Sequence, residues 1–560
     1  MKALAWLSIV AIALAPLPVQ GQETNQTEPE LPRLIETVDV RVINIDVVVT
    51  DRRGNAITGL TKDDFILYEN GRPQPITNFY EVVTRTDSAE PQVRTAEAPR
   101  PAEPERPQQL SRKIVIFVDN LSLAPFNRNR VFEAMKEFTR ETLRPGDEAM
   151  IVTWNRSLNT RLPFTSDAKQ IEQVLDAIAG ESALGIQQMS ERRQAQSRIR
   201  EARTMQEAIV TARTYAQSLE HDLRTTTSAI NSLTSTLGGV EGKKIMLITS
   251  EGFWMQPGIE LFHYIDDQAR EHADWTGQGS TFLESMHFNS ARLIESIGRA
   301  ANANDITLYT LHAGGLVGYN QSSAEHREPI SPNVQHVALS NSTDSLRLMA
   351  DLTGGIAVVG TNNFDAAFER IRQDISSYYS LGYRSGTERV DRQRSLEVKT
   401  KNPAYIVRAR KSFIEKSITT EMTDKVIANL FYESSSNDMR TLMRTGQPRR
   451  QENGLFLVPV EIIVPMESLT LLPRGEIYTG SFSIYVVASN EHGDMSEVQR
   501  QQQSVRVPAA EFPNIKGKHF TYAIDLLMEP GRGTISIGVL DDVSNQTGFT
   551  MMDLLVRDLR

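Results

Sequence analysis

Asp119 is the residue of this sequence best placed to do chemistry. It ends the apolar run Ile114-Val115-Ile116-Phe117-Val118 and opens the loop Asp119-Asn120-Leu121-Ser122-Leu123. A carboxylate released at the end of a buried strand can hold a hard cation, cap a loop or take a basic side chain. A second group is the run HYIDDQAREHADW, where His263, Asp266, Asp267, His272 and Asp274 are metal-ligand types. His263 and Asp267 stand at helical spacing, as a zinc-dependent hydrolase could use them. A solvated helical insert has the same composition, and that plainer reading is favoured. His312 closes a later strand and reads as a hydrogen-bonded structural histidine. Asp51, Asp63, Asp64 and Glu69 have the oxygen chemistry of calcium ligands, but turn and edge solvation explains them.

Other chemistry is absent from the text. There is no Gly-x-Ser-x-Gly elbow, no His-Glu-x-x-His, no phosphate-cradling loop ending in Lys-Ser or Lys-Thr, and no dinucleotide fingerprint. The chain has no cysteine, which rules out thiolate metal sites, thiol nucleophiles and disulfides. A net charge of −10 over 560 residues argues against a general nucleic-acid binder. With 40% hydrophobic and 23% charged residues the composition is ordinary for folded proteins, and the length calls for several cores.

The elements that position these residues follow from pattern. Residues 1–21 read as an export signal, with Lys2, the apolar stretch Ala3–Ala15 and the small-residue site Val19-Gln20-Gly21. No other segment has the length of a membrane span. A flexible lead, 22–36, precedes a small β module over 37–85, where alternating apolar residues meet the turns at Arg53-Gly54 and Asn70-Gly71. The stretch 86–110 is a proline-rich linker. From 111 to 413 strands and helices alternate, the mark of a doubly wound, mostly parallel, Rossmann-like α/β sheet. Inside it lie one long helix at about 187–237, whose polar opening is expected to project into water or toward a partner, and an insertion at about 255–281. A connector, 414–453, leads to alternating strands over 454–560, expected as a β-sandwich. The fold class is multidomain, α/β plus β.

Three phrases carry a resemblance: VVVTDRRGNAITGLTKDDFILYENGRPQPITNF, LRLMADLTGGIAVV, and YYSLGYRS followed by LEVKTKNPAYIVRARKSF. In these the chain resembles exported bacterial proteins with a von Willebrand factor type A–related domain, over most of residues 37–413. The resemblance implies an Asp-x-Ser-x-Ser loop after the first strand, a threonine from a middle loop and an aspartate after the fourth strand, together holding a divalent metal that captures a partner's carboxylate. Asp119 matches the leading aspartate, but leucines 121 and 123 replace the serines. Ser122 is one place out of register, Glu251 stands for the later aspartate, and no middle-loop threonine is assigned.

No cofactor is therefore expected. Asp119, Ser122 and Glu251 are kept as a degenerate site for Mg or Mn. The favoured function is non-catalytic protein–protein recognition or scaffolding, in the periplasm or outside the cell, by the loops at the carboxyl ends of the parallel strands. Asn120, Leu121, Leu123, Phe126, Ser250, Phe253, Trp254 and His312 are the candidate contacts with a protein partner. Metal-dependent adhesion and a hydrolase based on the 263–274 insertion are the alternatives.

Overall fold

The computed structural model describes residues 42–83, 92–95, 111–270, 275, 281–316, 332–385, 390–433 and 436–557. The expected export signal, the lead, most of the linker, and His272 and Asp274 lie outside them. Two compact units divide the chain. One comprises Val42–Ser235 and Glu241–Glu415, the other Thr236–Val240 and the residues from Lys416.

In the first unit a six-stranded sheet runs in the spatial order Ala357–Val358, Ile306–His312, Lys243–Ser250, Arg112–Asp119, Glu148–Trp154, Leu158–Thr165. Neighbours are parallel except for the last strand, which runs antiparallel. Arg112–Asp119 is an interior strand, paired in parallel on both sides, and its side chains from Ile114 to Val118 are fully buried. A continuous β-branched run is stable there because both faces are covered. Ile114, Ile116 and Val118 share a core with Phe132, Met135 and Phe138 of helix Pro125–Thr142 and with Phe364 and Phe368 of helix Phe364–Ser376. On the other face, one residue out of phase along strand Ile306–His312, Thr310 donates to the Leu346 carbonyl of helix Pro332–Thr353.

The same unit holds two further sheets. One has the order Ile406–Ala409, Val42–Thr50, Ser377–Arg384, Ile76–Val83, Gln92–Thr95; the other Ser412–Ile414, Gln393–Thr400, Phe65–Glu69, Arg72–Gln74. Their common core joins Ile45, Val47, Phe65 and Leu67 to Tyr379, Leu381 and Tyr383. Buried Arg394 binds Glu69 at 3.1 Å and Glu415 at 2.9 Å. Residues 37–85 thus do not close a module of their own: strands from 377–414, expected at the end of the α/β domain, lie among them. Gln92–Thr95, expected in the linker, is a strand.

The single long helix is two helices, Gly185–Glu201 and Met205–Thr236, separated where Ala202 is extended at φ −64°, ψ 136°. Thr204-x-x-Glu207 restarts the helix: the Glu207 N–H donates to the Thr204 hydroxyl, and the Glu207 carboxylate accepts from the Arg203 N–H. The polar opening does not project. Ala195, Ile199 and Ala202 are buried with Ile209, Leu261, Phe262 and Ile265.

In the second unit, strand Phe456–Pro465 pairs with His519–Met528 and with the short strands Leu442–Thr445 and Arg449–Arg450. A second antiparallel sheet is built on Ile477–Asn490, flanked by Gln499–Pro508 and Gly531–Asp541, with Thr547–Val556 beyond. Val458 and Ile462 of the first sheet share a core with Phe482, Ile484 and Ile537 of the second. Helix Ile418–Tyr432, opened by the Ser417 side chain, lays Met422, Val426 and Leu430 on Tyr485, Val487, Leu540 and Phe549. The expected connector over 414–453 therefore supplies a helix and two strands of this unit.

The amino end of the central strand is fixed by a buried ion pair. Arg112, 7% exposed, gives its backbone N–H and guanidinium to the carboxylate of Asp147, 2% exposed, and also donates to the Thr142 carbonyl at 2.8 Å. Removing one partner leaves the other charge buried, so Asp147→Ala should cost about 3–5 kcal/mol. Urea denaturation reads this as a lower midpoint at unchanged slope. A change under about 1 kcal/mol would mean that water replaces the carboxylate.

Candidate functional site

The carboxyl end of the central strand delivers Asp119 to a closed polar cluster rather than to an open rim. The residue is 2% exposed. Its Oδ2 accepts from the Ser122 hydroxyl at 2.6 Å and from the Ser250 hydroxyl at 2.8 Å, and the two hydroxyl oxygens are 2.9 Å apart. Each hydroxyl also accepts a backbone N–H, Ser122 from Glu251 at 3.1 Å and Ser250 from Gly252 at 3.0 Å. Oδ1 is buried with no partner among the described residues. Burial pushes the Asp119 carboxyl above the usual aspartate range, and the two hydroxyl bonds only partly oppose this.

Glu251 does not join the cluster. Its Oε1 accepts from the Ala124 N–H at 2.8 Å and from Asn127 Nδ2 at 3.0 Å. Ala124 is the N-cap of helix Pro125–Thr142 and has no capping side chain of its own, so Glu251 supplies the acceptor and the negative charge that a helix start favours. Burial raises this carboxyl too.

The middle segment seals the loop. The Leu184 N–H donates to the Asn120 carbonyl at 2.8 Å and the Gly185 N–H to the Leu123 carbonyl at 3.2 Å. A Cβ at Gly185 would stand 2.4 Å from the Ser122 carbonyl oxygen, so only glycine permits this approach. The fully buried Arg128 guanidinium holds the layers together, donating to Asn120 Oδ1 at 3.1 Å, the Ala179 carbonyl at 3.0 Å and the Glu181 carbonyl at 2.8 Å. The segment Glu181-Ser182-Ala183-Leu184-Gly185 contains no threonine.

Of the three degenerate metal candidates, Asp119 and Ser122 come together despite the register, while Glu251 turns away. Ser250, expected as a contact residue, takes its place. Asp119 Oδ2 and the two hydroxyls form a triangle close to one face of an octahedron, since bonds of about 2.1 Å to a cation put adjacent ligand oxygens about 3.0 Å apart. The face carries a single carboxyl, whose burial favours the protonated form. A divalent ion would be offered at most one negative charge there.

Most expected contact residues are buried: Asn120, Leu121, Leu123, Ser250, Phe253 and His312 are at most 5% exposed and cannot meet a partner. Their apolar or satisfied side chains hold the loops down. Trp254 is half-buried against the cluster of Leu261 and Phe262. His312 donates to the Glu251 carbonyl, and burial lowers its pKa to about 4, so the ring is neutral. Phe126 alone stands out, 77% exposed. Arg130 lies 6.0 Å from its ring centre and donates to the Ala313 carbonyl at 2.9 Å. Nearby, a Cβ at Gly315 would stand 2.7 Å from Arg130 Nη2, and Leu316 is 61% exposed. In the 255–281 insertion Asp266 accepts from the Thr281 hydroxyl and Asp267 pairs with Arg270. Among the described residues no three His, Asp or Glu side chains are grouped to hold a metal.

Arg128 and Leu316 escaped the sequence reading. Arg128 had a signal: it shares the stripe of Val131, Met135 and Phe138, where a lone charge must find acceptors.

Asp119 sets a pH dependence. A carboxyl raised above its unfolded value binds more protons in the folded state, so stability falls as pH rises from the ordinary aspartate value through the raised one. Asp119→Asn keeps an acceptor for both serines and removes the penalty. The variant should match the parent in acid and exceed it in stability above that window, read by urea midpoints across pH. A parent curve that rises with pH relative to the variant would show a carboxylate held ionised.

No family model and no curated protein matches the chain. Solved structures similar to it include a conserved hypothetical protein, BatB, from Bacteroides thetaiotaomicron, at 12% identity and a TM-score of 0.23 over 47% of this chain and 97% of that one. An aerotolerance-related membrane protein from Bacteroides fragilis aligns at 12% identity and a TM-score of 0.22, over 47% and 98%. A von Willebrand factor type A protein from Catenulispora acidiphila aligns at 11% identity and a TM-score of 0.22, over 88% and 73%.

Proposed function

We propose that this chain is a non-catalytic recognition or scaffolding protein of the von Willebrand factor type A–related group, exported, with its carboxy-terminal unit a β-sandwich. It binds a protein partner through the carboxyl-end rim of the parallel sheet and needs no metal to do so. The observation that carries this reading is Phe126, an aromatic ring left 77% exposed on the rim beside Arg130. Aromatic and arginine side chains dominate the energy of protein interfaces, and an exposed ring that adjoins further exposed apolar surface is the kind of patch at which partners dock. Leu316 extends the same surface. The rim's catalytic types argue for recognition rather than turnover: His312 is neutral and buried, and the Asp119 and Glu251 carboxylates serve the loop and the helix start. Among the described residues no helix is long and apolar enough to cross a membrane.

One observation favours a second reading, metal-dependent adhesion: the triangle of Asp119 Oδ2, Ser122 Oγ and Ser250 Oγ. Asp119, Ser122 and Ser250 would hold the ion, which would supply a Lewis-acidic position for a partner's carboxylate.

Two measurements test these readings. Envelope extract passed over the parent protein and over Phe126→Ser/Leu316→Ser should leave a protein retained only by the parent; identical retention would remove the rim from the function. Millimolar magnesium or manganese should leave the melting temperature unchanged. A site filled to a hundred times its Kd would add about 2.7 kcal/mol, and such a shift, lost in Asp119→Ala, would establish the metal reading instead.

A further inference from the structure

A cavity of about 500 Å³ lies at the edge of the parallel sheet, sharing no residue with the rim. Its walls come from the edge strand Ala357–Val358, helix Phe364–Ser376, and the strands Val42–Thr50 and Ile406–Ala409 with the turn that follows Thr50. Four arginines, Arg52, Arg53, Arg370 and Arg408, line it against two carboxylates, Asp51 and Asp374, in a chain whose net charge is −10.

The charges are sorted by depth. At the inner end Asp374, 5% exposed, is bound by both terminal nitrogens of Arg408 and accepts from the Tyr309 hydroxyl at 2.7 Å. That pair is neutral and complete. At the mouth Asp51 holds the turn, accepting from the Arg53 N–H at 2.8 Å, the Asn55 N–H at 2.9 Å and Asn55 Nδ2 at 2.8 Å. Gly54, at φ +89°, lets the turn pass close to Arg370, whose Nη2 lies 3.8 Å from where a Cβ would stand. Glu369, the acid beside Arg370 on the helix, is taken by Arg372 and Gln373. Arg52 and Arg53 on the turn and Arg370 on the helix are thus exposed and without a carboxylate partner among the described residues.

From this geometry we infer that the cavity is a binding site for a small polyanion, a molecule carrying two or more phosphoryl or carboxylate groups that engage the guanidiniums of Arg52, Arg53 and Arg370. The volume suits a small molecule. Guanidiniums are the side chains best shaped for bidentate contact with either oxyanion.

Calorimetric titration of the full chain with pyrophosphate, and separately with citrate, at constant ionic strength tests the site. At least one should give a saturable one-site heat, and which one does so separates phosphoryl from carboxylate ligands. Arg53→Ala/Arg370→Ala should weaken it by about a hundredfold, counting about tenfold per charge-assisted contact. The ligand-free melting temperature should stay in place, because among the described residues no hydrogen bond or ion pair depends on these side chains. Arg370→Gln, which leaves the turn untouched, should give a partial loss, and Arg474→Ala, an exposed arginine of the other unit, should give none. No saturable heat from either anion, or equal affinity in parent and double variant, would overturn the inference.

Discussion

A strand covered on both faces has no water to satisfy its backbone, so each N–H and C=O of Arg112–Asp119 must be met by a neighbouring strand. This requirement organises the first unit. It demands crossover helices on both faces, gathers the loops at one end, and forces Asp119, the last residue of the strand, into the lid that closes that end. Once there, its carboxylate has only protein groups to bind. The two serine hydroxyls, the turned Glu251 and the sealing Gly185 all answer that one burial.

How much of this was legible depended on whether the cause was local. Five consecutive apolar residues before Asp119 are a strong statement about burial, and the interior parallel strand follows from them. The loop was harder. Leu121 and Leu123 read as rim residues because they follow the strand, yet two leucines in a polar loop fold inward for the reason that any leucine does. Ser250 was invisible as a partner of Asp119 because the two are brought together across neighbouring strands. The helix break before Met205 lacked proline or glycine, but Thr204 and Glu207 had announced a new start. The pairing of Val42–Thr50 with Ser377–Arg384 leaves no local trace, and neither does the arginine cavity, which joins residues 48–56 to residues 355–408.

Buried arginines recur as ties between layers. Arg112, Arg128 and Arg394 are each under 9% exposed and each binds carbonyls or carboxylates from another segment. Replacing such a group by a well-packed apolar residue can be neutral in energy. What the guanidiniums add is direction: the acceptors must arrive in one geometry. Arg128 in particular makes the loop at Asn120 and the segment at Glu181 a single body, which leaves the exposed ring of Phe126 on a rigid support.

The interleaving of early and late strands has a consequence for how the chain is made. Val47 finds its neighbour only at Tyr379, so the first strands emerge from synthesis with sticky, hydrogen-bond-hungry borders and must wait for more than half of the polypeptide before they can be closed. During that interval the whole α/β layer has time to assemble. The last strands then slot between elements that have been held apart, and a nascent chain stalled short of them would be a natural client for holding chaperones.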